Sequence, residues 1–78
     1  MEDFSIIFGK AAWRILEETT GFEPFDIDVR NRSCSVILNG TEYNITRVQY
    51  CSWHVVATGY RHVFGSQWDL LAWIGDRL

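Results

Sequence analysis

The chain has no surplus of positive charge. Ten acidic residues stand against seven basic ones, for a formal net charge of −3. A protein that holds nucleic acid by its phosphates needs a basic excess, so direct nucleic-acid binding is not expected. The imbalance is also too mild to make the chain a mimic of DNA on charge alone. The two cysteines, Cys34 and Cys51, form no CxxC pair, which suits a reducing compartment. The start, Met1-Glu2-Asp3, is acidic where a secretory leader would be basic. The longest unbroken apolar run, Leu70 to Ile74, is five residues, far short of a membrane span. No GxSxG, HExxH, P-loop or GxGxxG motif is present. Ser, His and Asp occur, as in most chains, but little chain is left to shape a pocket around them. The expectation is therefore no enzyme, no cofactor and no metal. No repeat, linker or low-complexity segment divides the sequence.

What is abundant is aromatic and apolar side chain: 47% of residues are hydrophobic and 15% aromatic, with four Trp among 78 residues. Residues 1–78 make one domain. A chain this short buries a modest core, with stability on the order of 5 kcal/mol or less. Large rings supply much buried area per residue, so the chain either packs a dense core or keeps rings for a partner.

Asn39-Gly40 is the firmest local signal. Both central residues of a type I′ turn need positive φ, which Asn followed by Gly supplies at the least steric cost. The runs Ser33–Leu38 and Thr41–Thr46 on either side are β-prone. If Cys34, Val36 and Leu38 face inward, then Ser33, Ser35 and Ile37 face outward. Before them, Phe25-Asp26-Ile27-Asp28-Val29 alternates apolar and acidic residues, which predicts a half-buried strand with Asp26 and Asp28 side by side on its wet face. After them, Val48 to Phe64 reads as further strands with a turn at Ala57-Thr58-Gly59. Whether Val48 to Ser52 is strand, bulge or loop stays open.

Helices are predicted at both ends. Phe4 to about Thr20 carries two apolar stripes: Phe4, Ile7, Phe8, Ala11 and Ile15 toward the sheet, and Ile6, Gly9, Trp13 and Leu16 on another side. Gly9 costs about 1 kcal/mol in a helix interior, which a close backbone approach would explain. Gly21 and Pro24 end this helix. Ser66-Gln67-Trp68-Asp69 reads as a capping box opening a second helix. Its core stripe is Leu70, Leu71, Ile74 and Leu78, and Trp73 points the other way. The fold class expected is α+β: an antiparallel meander of three to five strands with the N- and C-terminal helices packed on one face.

Several constellations carry candidate functions. Trp13 and Trp73, both off the core stripes, either anchor a partner or pack on each other between adjacent helices. Asp26, Asp28 and Glu42 offer an acidic patch on the outer sheet face, and Asp69, Trp73 and Asp76 a contact borne by the last helix. Arg30, Arg32, Arg47 and Arg61 with Tyr60 make the alternative, a basic and aromatic surface for nucleic acid. A homodimer through Ile6 and Trp13 would use the second stripe of the first helix. Cys34, Cys51, His54 and His62 are metal-ligand types, but their spacing fits no zinc pattern. A Cys34–Cys51 disulfide would need adjacent strands and an oxidising compartment.

The order helix, antiparallel strands, helix resembles the double-stranded-RNA-binding domain over most of the chain. Gly65-Ser66-Gln67-Trp68-Asp69 stands where that family has a Lys-rich helix start. Small size, mild acidity and surplus aromatics resemble the phage-encoded inhibitors of the anti-CRISPR type, which share no motif. That second resemblance implies a cytoplasmic protein, in the host if phage-encoded. It would dock on a host protein or ribonucleoprotein complex and block a working surface, with Asp26, Asp28, Glu42, Asp69, Trp73 and Asp76 as the contacts.

Overall fold

The fold is built outward from the Asn39-Gly40 turn. In the computed structural model, which describes residues 4–49 and 51–78, Asn39 and Gly40 have φ of 51° and 81°. The acidic Met1-Glu2-Asp3 start lies outside the described residues. The turn joins β2 (Ser33–Leu38) to β3 (Thr41–Val48) in unbroken register from Leu38↔Thr41 to Ser33↔Thr46. β1 (Phe25–Asp28) pairs with β2, and β4 (Ser52–Ala57) and β5 (Tyr60–Phe64) follow β3. All neighbours are antiparallel, in the spatial order β1-β2-β3-β4-β5. Of the open stretch Val48–Ser52, Val48 ends β3 and Ser52 opens β4, while Tyr50 between them lies outside the described residues.

Alternation along each strand divides the sheet into two faces. Cys34, Val36, Leu38, Ile45, Trp53, Val55 and Phe64 are buried against the helices. Of their neighbours along the strands, Ile37, Asn44, Val56 and Val63 are exposed, Ser33, Thr46 and His54 are half-buried, and Ser35, expected to be open to solvent, is buried. The fold is thus the expected α+β meander, with the helices on one face.

The first helix is not continuous. Gly9, at φ 94° and ψ 148°, divides it into α1 (Ser5–Phe8) and α2 (Lys10–Leu16). That backbone region is open to glycine and strained for any other residue. An unbroken helix would give the Ile6 and Ile7 carbonyls to Lys10 and Ala11. Here three side chains from other elements close the gap. The Trp53 indole N–H donates to the Ile7 carbonyl at 2.6 Å, and an Arg47 guanidinium N–H donates to the Ile6 carbonyl at 3.3 Å. At the start of α2, the Ala12 N–H donates to Gln67 Oε1 at 3.4 Å. The same Gln67 amide fills the space where a side chain on Gly9 would stand. The glycine is accounted for by its own positive φ and by the Gln67 side chain, not by the approach of another backbone. The break also shifts the buried face by one residue: Phe4, Ile7 and Phe8 continue as Ala12 and Leu16, leaving Ala11 and Ile15 exposed.

α3 (Gln67–Gly75) starts as expected, with the Ser66 hydroxyl accepting from the Trp68 N–H at 3.1 Å. Its buried stripe differs. Leu70, Trp73 and Ile74 face the core, while Leu71 is half-buried and Leu78 exposed. Trp73, at 9% exposure, belongs to the core because β3 and β5 present rings to it: Tyr43 edge-on at 4.9 Å, and Tyr60 and Phe64 at 6.1 and 5.8 Å. Its indole N–H donates to the Tyr60 hydroxyl at 3.1 Å, and the Arg77 guanidinium lies 4.1 Å above its ring. Trp13 sits in a separate group with Phe4, Phe8 and Phe22. The two tryptophans therefore neither pack on each other nor stand out as free anchors.

Candidate interaction surface

The face of the sheet away from the helices is uncovered by any described element. Register places its side chains in rows. One row runs Phe25, Ser35, Asn44, Val56, Arg61; the next runs Asp28, Ser33, Thr46, His54, Val63. Beyond the first row, Ile37 stands opposite Glu42. The centre of this grid is small and polar, and it is bonded to itself. Asn44 Nδ2 donates to Ser33 Oγ at 3.1 Å and to the Cys34 carbonyl at 3.2 Å, and the Thr46 hydroxyl lies 3.1 Å from both Ser33 Oγ and Asn44 Oδ1. Around this centre stand three branched apolar side chains: Ile37 at 54%, Val56 at 43% and Val63 at 51% exposure. Folding covers none of them.

The acidic trio expected on this face is dispersed. β1 carries one extra residue against β2: Phe25 pairs with Ser35 but Asp28 with Ser33, and Asp26 sits at the bulge with φ 53°. Asp26 and Asp28 therefore do not share a regular alternating face, because a bulge breaks the period of two. Asp28 is used by the turn that follows, accepting from the Asn31 N–H at 3.2 Å and from Asn31 Nδ2 at 2.7 Å. Glu42 lies beside Ile37, four residues along β2 from the row that holds Asp28. That spacing is about 13 Å along the strand, with two strand separations of about 5 Å each across it. On α3, Asp69 and Asp76 are exposed, but Trp73 between them is buried.

The arginines disperse as well. Arg30 and Arg32 belong to the β1–β2 turn, Arg61 is on the open face, and Arg47 is on the helix-covered face, 5.3 Å from the Trp53 ring. Tyr60 is held by Trp73. The metal-ligand types do not meet. Cys34 is in the core, Cys51 is exposed beside the β3–β4 connection, His54 faces outward and His62 inward. Among the described residues, no group of three His, Cys, Asp or Glu side chains converges. Both cysteines are free thiols, and burial pushes Cys34 up to about 12, far from a reactive thiolate. Ile6 lines a shallow cavity of about 580 Å³ with Lys10, Arg47 and Gln67, away from the Trp13 ring group.

One exposed ring was not anticipated. Trp68, at 51% exposure, takes the place on α3 that Trp73 was expected to hold. Its position was readable from the helix wheel, since Trp68, Ala72 and Gly75 form one stripe and two of the three are too small to build a core.

Comparison with protein-family models, curated proteins and solved structures returns no match for this chain. No helix among the described residues is long and apolar enough to cross a membrane.

Proposed function

We propose that this chain is a docking module that binds a folded protein through the open face of its sheet and acts by covering that protein's working surface. The observation that carries this reading is the open face itself, where Ile37, Val56 and Val63 stand half-exposed around a polar centre whose groups bond each other. A flat surface of this kind favours a protein partner. The apolar side chains supply contact area to a protein surface, and the polar groups between them set its register. Glu42, beside Ile37, is the acid best placed to add charge complementarity, which acts mainly on association rate and specificity. Nucleic acid is the poorer fit, because the arginines lie on different faces and the net charge is −3. An inhibitor of a host nucleoprotein complex, on the pattern of the anti-CRISPR proteins, is the most concrete form of this proposal.

Val56→Glu places a charge beside the polar centre of the face and Val63→Glu one at its β5 margin, and neither touches the core. Wild-type protein should retain a specific host protein on an affinity matrix at physiological salt, and both variants should lose it while their melting curves stay unchanged. Equal retention by folded variants would remove the open face from the interaction. Micromolar binding to DNA or RNA that collapses with added salt would transfer the assignment to nucleic acid. For the inhibitor form, expression in a CRISPR-immune host should restore plaques of the targeted phage, and should fail to do so with Val56→Glu.

A further inference from the structure

We propose that β5 is a pairing edge for a second copy of this chain, by antiparallel β5–β5 contact centred on His62. The sheet ends in two edges, and only one is defended. β1 has Pro24 beside it, a bulge at Asp26, and carboxylates at Asp26 and Asp28, all devices that discourage strand addition. β5 has none of these. It pairs with β4 in regular register from Ala57↔Tyr60 to Trp53↔Phe64, and Arg61, His62 and Val63 are exposed.

The direction of its free groups follows from the turn. A two-residue loop, Thr58-Gly59, makes Ala57↔Tyr60 the closing hydrogen-bonded pair. Bonded and non-bonded pairs then alternate along an antiparallel ladder. Tyr60, His62 and Phe64 spend their backbone groups on β4, while the N–H and C=O of Arg61 and Val63 point to the open edge. No further strand meets them among the described residues.

A second copy fits this edge because Tyr60-Arg61-His62-Val63-Phe64 carries an aromatic ring at each end and His62 at its middle. Centred on His62, Arg61 pairs with Val63 of the other copy, so all the outward backbone groups of both chains are bonded. Tyr60 then stands opposite Phe64 of the other copy, an aromatic cross-strand pair. The Arg61 stem can cover the exposed Val63 of the other copy while its head stays in water. Other centres are worse. Centring on Arg61 sets two guanidinium groups against each other, and centring on Val63 runs the pairing off the strand into Gly65. The contact is isologous and closes as a dimer. Five residues per chain bury less than the roughly 1,200 Å² of a stable standard interface, so association is weak, on the order of 100 μM. The inference rests on the β5 edge and shares Val63 with the docking face, whereas Ile37 and Val56 belong to the docking face alone.

Sedimentation equilibrium from about 10 μM to about 1 mM spans the expected midpoint. Wild-type mass should rise toward twice the monomer. Val63→Pro should remain monomeric with an unchanged far-UV spectrum, since the N–H it removes is not used by β4. Val63→Lys should do the same without altering the backbone, and decides the matter if the proline variant misfolds. Register is read in a Cys51→Ser background. His62→Cys should oxidise to a disulfide-linked dimer at least about tenfold faster than Arg61→Cys, because only residue 62 faces its own counterpart. A wild type that stays monomeric, a dimer that survives in folded Val63→Lys, assembly beyond the dimer, or equal oxidation of the two cysteine variants would each overturn the proposal. So would a wild-type monomer whose β5 accepts an added extended peptide instead.

Discussion

The two faces of one sheet solve opposite problems. On the covered face, carbonyls that folding strands are given partners from distant elements: Trp53 and Arg47 take those freed at Gly9. On the open face, polar groups bond to near neighbours across two strands, and the apolar ones are left over. Long-range contacts on one side hold the molecule together, and short-range contacts on the other leave a surface available. Adjacent residues on one strand should therefore differ sharply in what they cost to change.

Trp53 and His54 make the severest test. Trp53→Ala removes a buried ring and the bond to the Ile7 carbonyl, a loss of about 3–5 kcal/mol. That is comparable to the total stability of a domain this size, so the variant should be largely unfolded at 25 °C by urea titration. His54→Ala, one residue away on the open face, should stay within about 0.5 kcal/mol of wild type. Similar costs for the two would erase the contrast between the faces.

Gly9→Ala comes next. It forces a non-glycine residue to φ 94° and pushes the Gln67 amide out of its place. Strain at such a position costs about 1–3 kcal/mol, and the Ala12 N–H loses its acceptor as well. Gln67→Ala should give only part of that loss, and a double variant should fall short of the sum of the two. Full additivity would show that the joint at Gly9 does not depend on α3.

The last test of the covered face is a dependence on high pH. Cys34 is raised from 9.0 to about 12 by burial in the covered face. Below pH 9 the thiol is protonated in both states and contributes no slope. Between 9 and 12 the unfolded chain has lost this proton and the native chain keeps it. The native state then binds more protons, and stability falls as pH rises, by about 1.4 kcal/mol per unit. Denaturant midpoints measured between pH 8 and 11 should show that decline in wild type and lose it in Cys34→Ala. At neutral pH a thiol reagent should label Cys51 and spare Cys34 until the protein is unfolded.

Much of this architecture was legible locally. Asn39-Gly40, the alternation through Ser33–Leu38 and the Ser66 cap are short-range signals, because φ preference, period-two patterning and capping each act within a few residues. The candidate surface was legible in part. Ile37 was assigned outward from the hairpin alone. Alternation along β4 sets Val56 opposite Trp53, but only the register of β2, β3 and β4 brings it onto one exposed surface with Ile37. Asp26, Asp28 and Glu42 looked like neighbours because strict alternation was extended through β1, and a single bulge undid it. Trp73 looked spare because the wheel counts only one helix. Its burial depends on Tyr43, Tyr60 and Phe64, up to thirty residues away in sequence.

By itself, then, the sequence determined the class of fold, the central hairpin, the helix start at Ser66 and which face of β2 turns inward. These follow from the conformational limits of single residues and from short periodicities. Only the tertiary structure decided that Gly9 breaks a helix instead of interrupting its stripe, that Trp73 is buried, and that β1 is defended while β5 is open. Each of those outcomes depends on which distant group supplies a hydrogen bond, a ring or a strand. No local preference encodes that supply, because it exists only once the sheet and helices have been brought together.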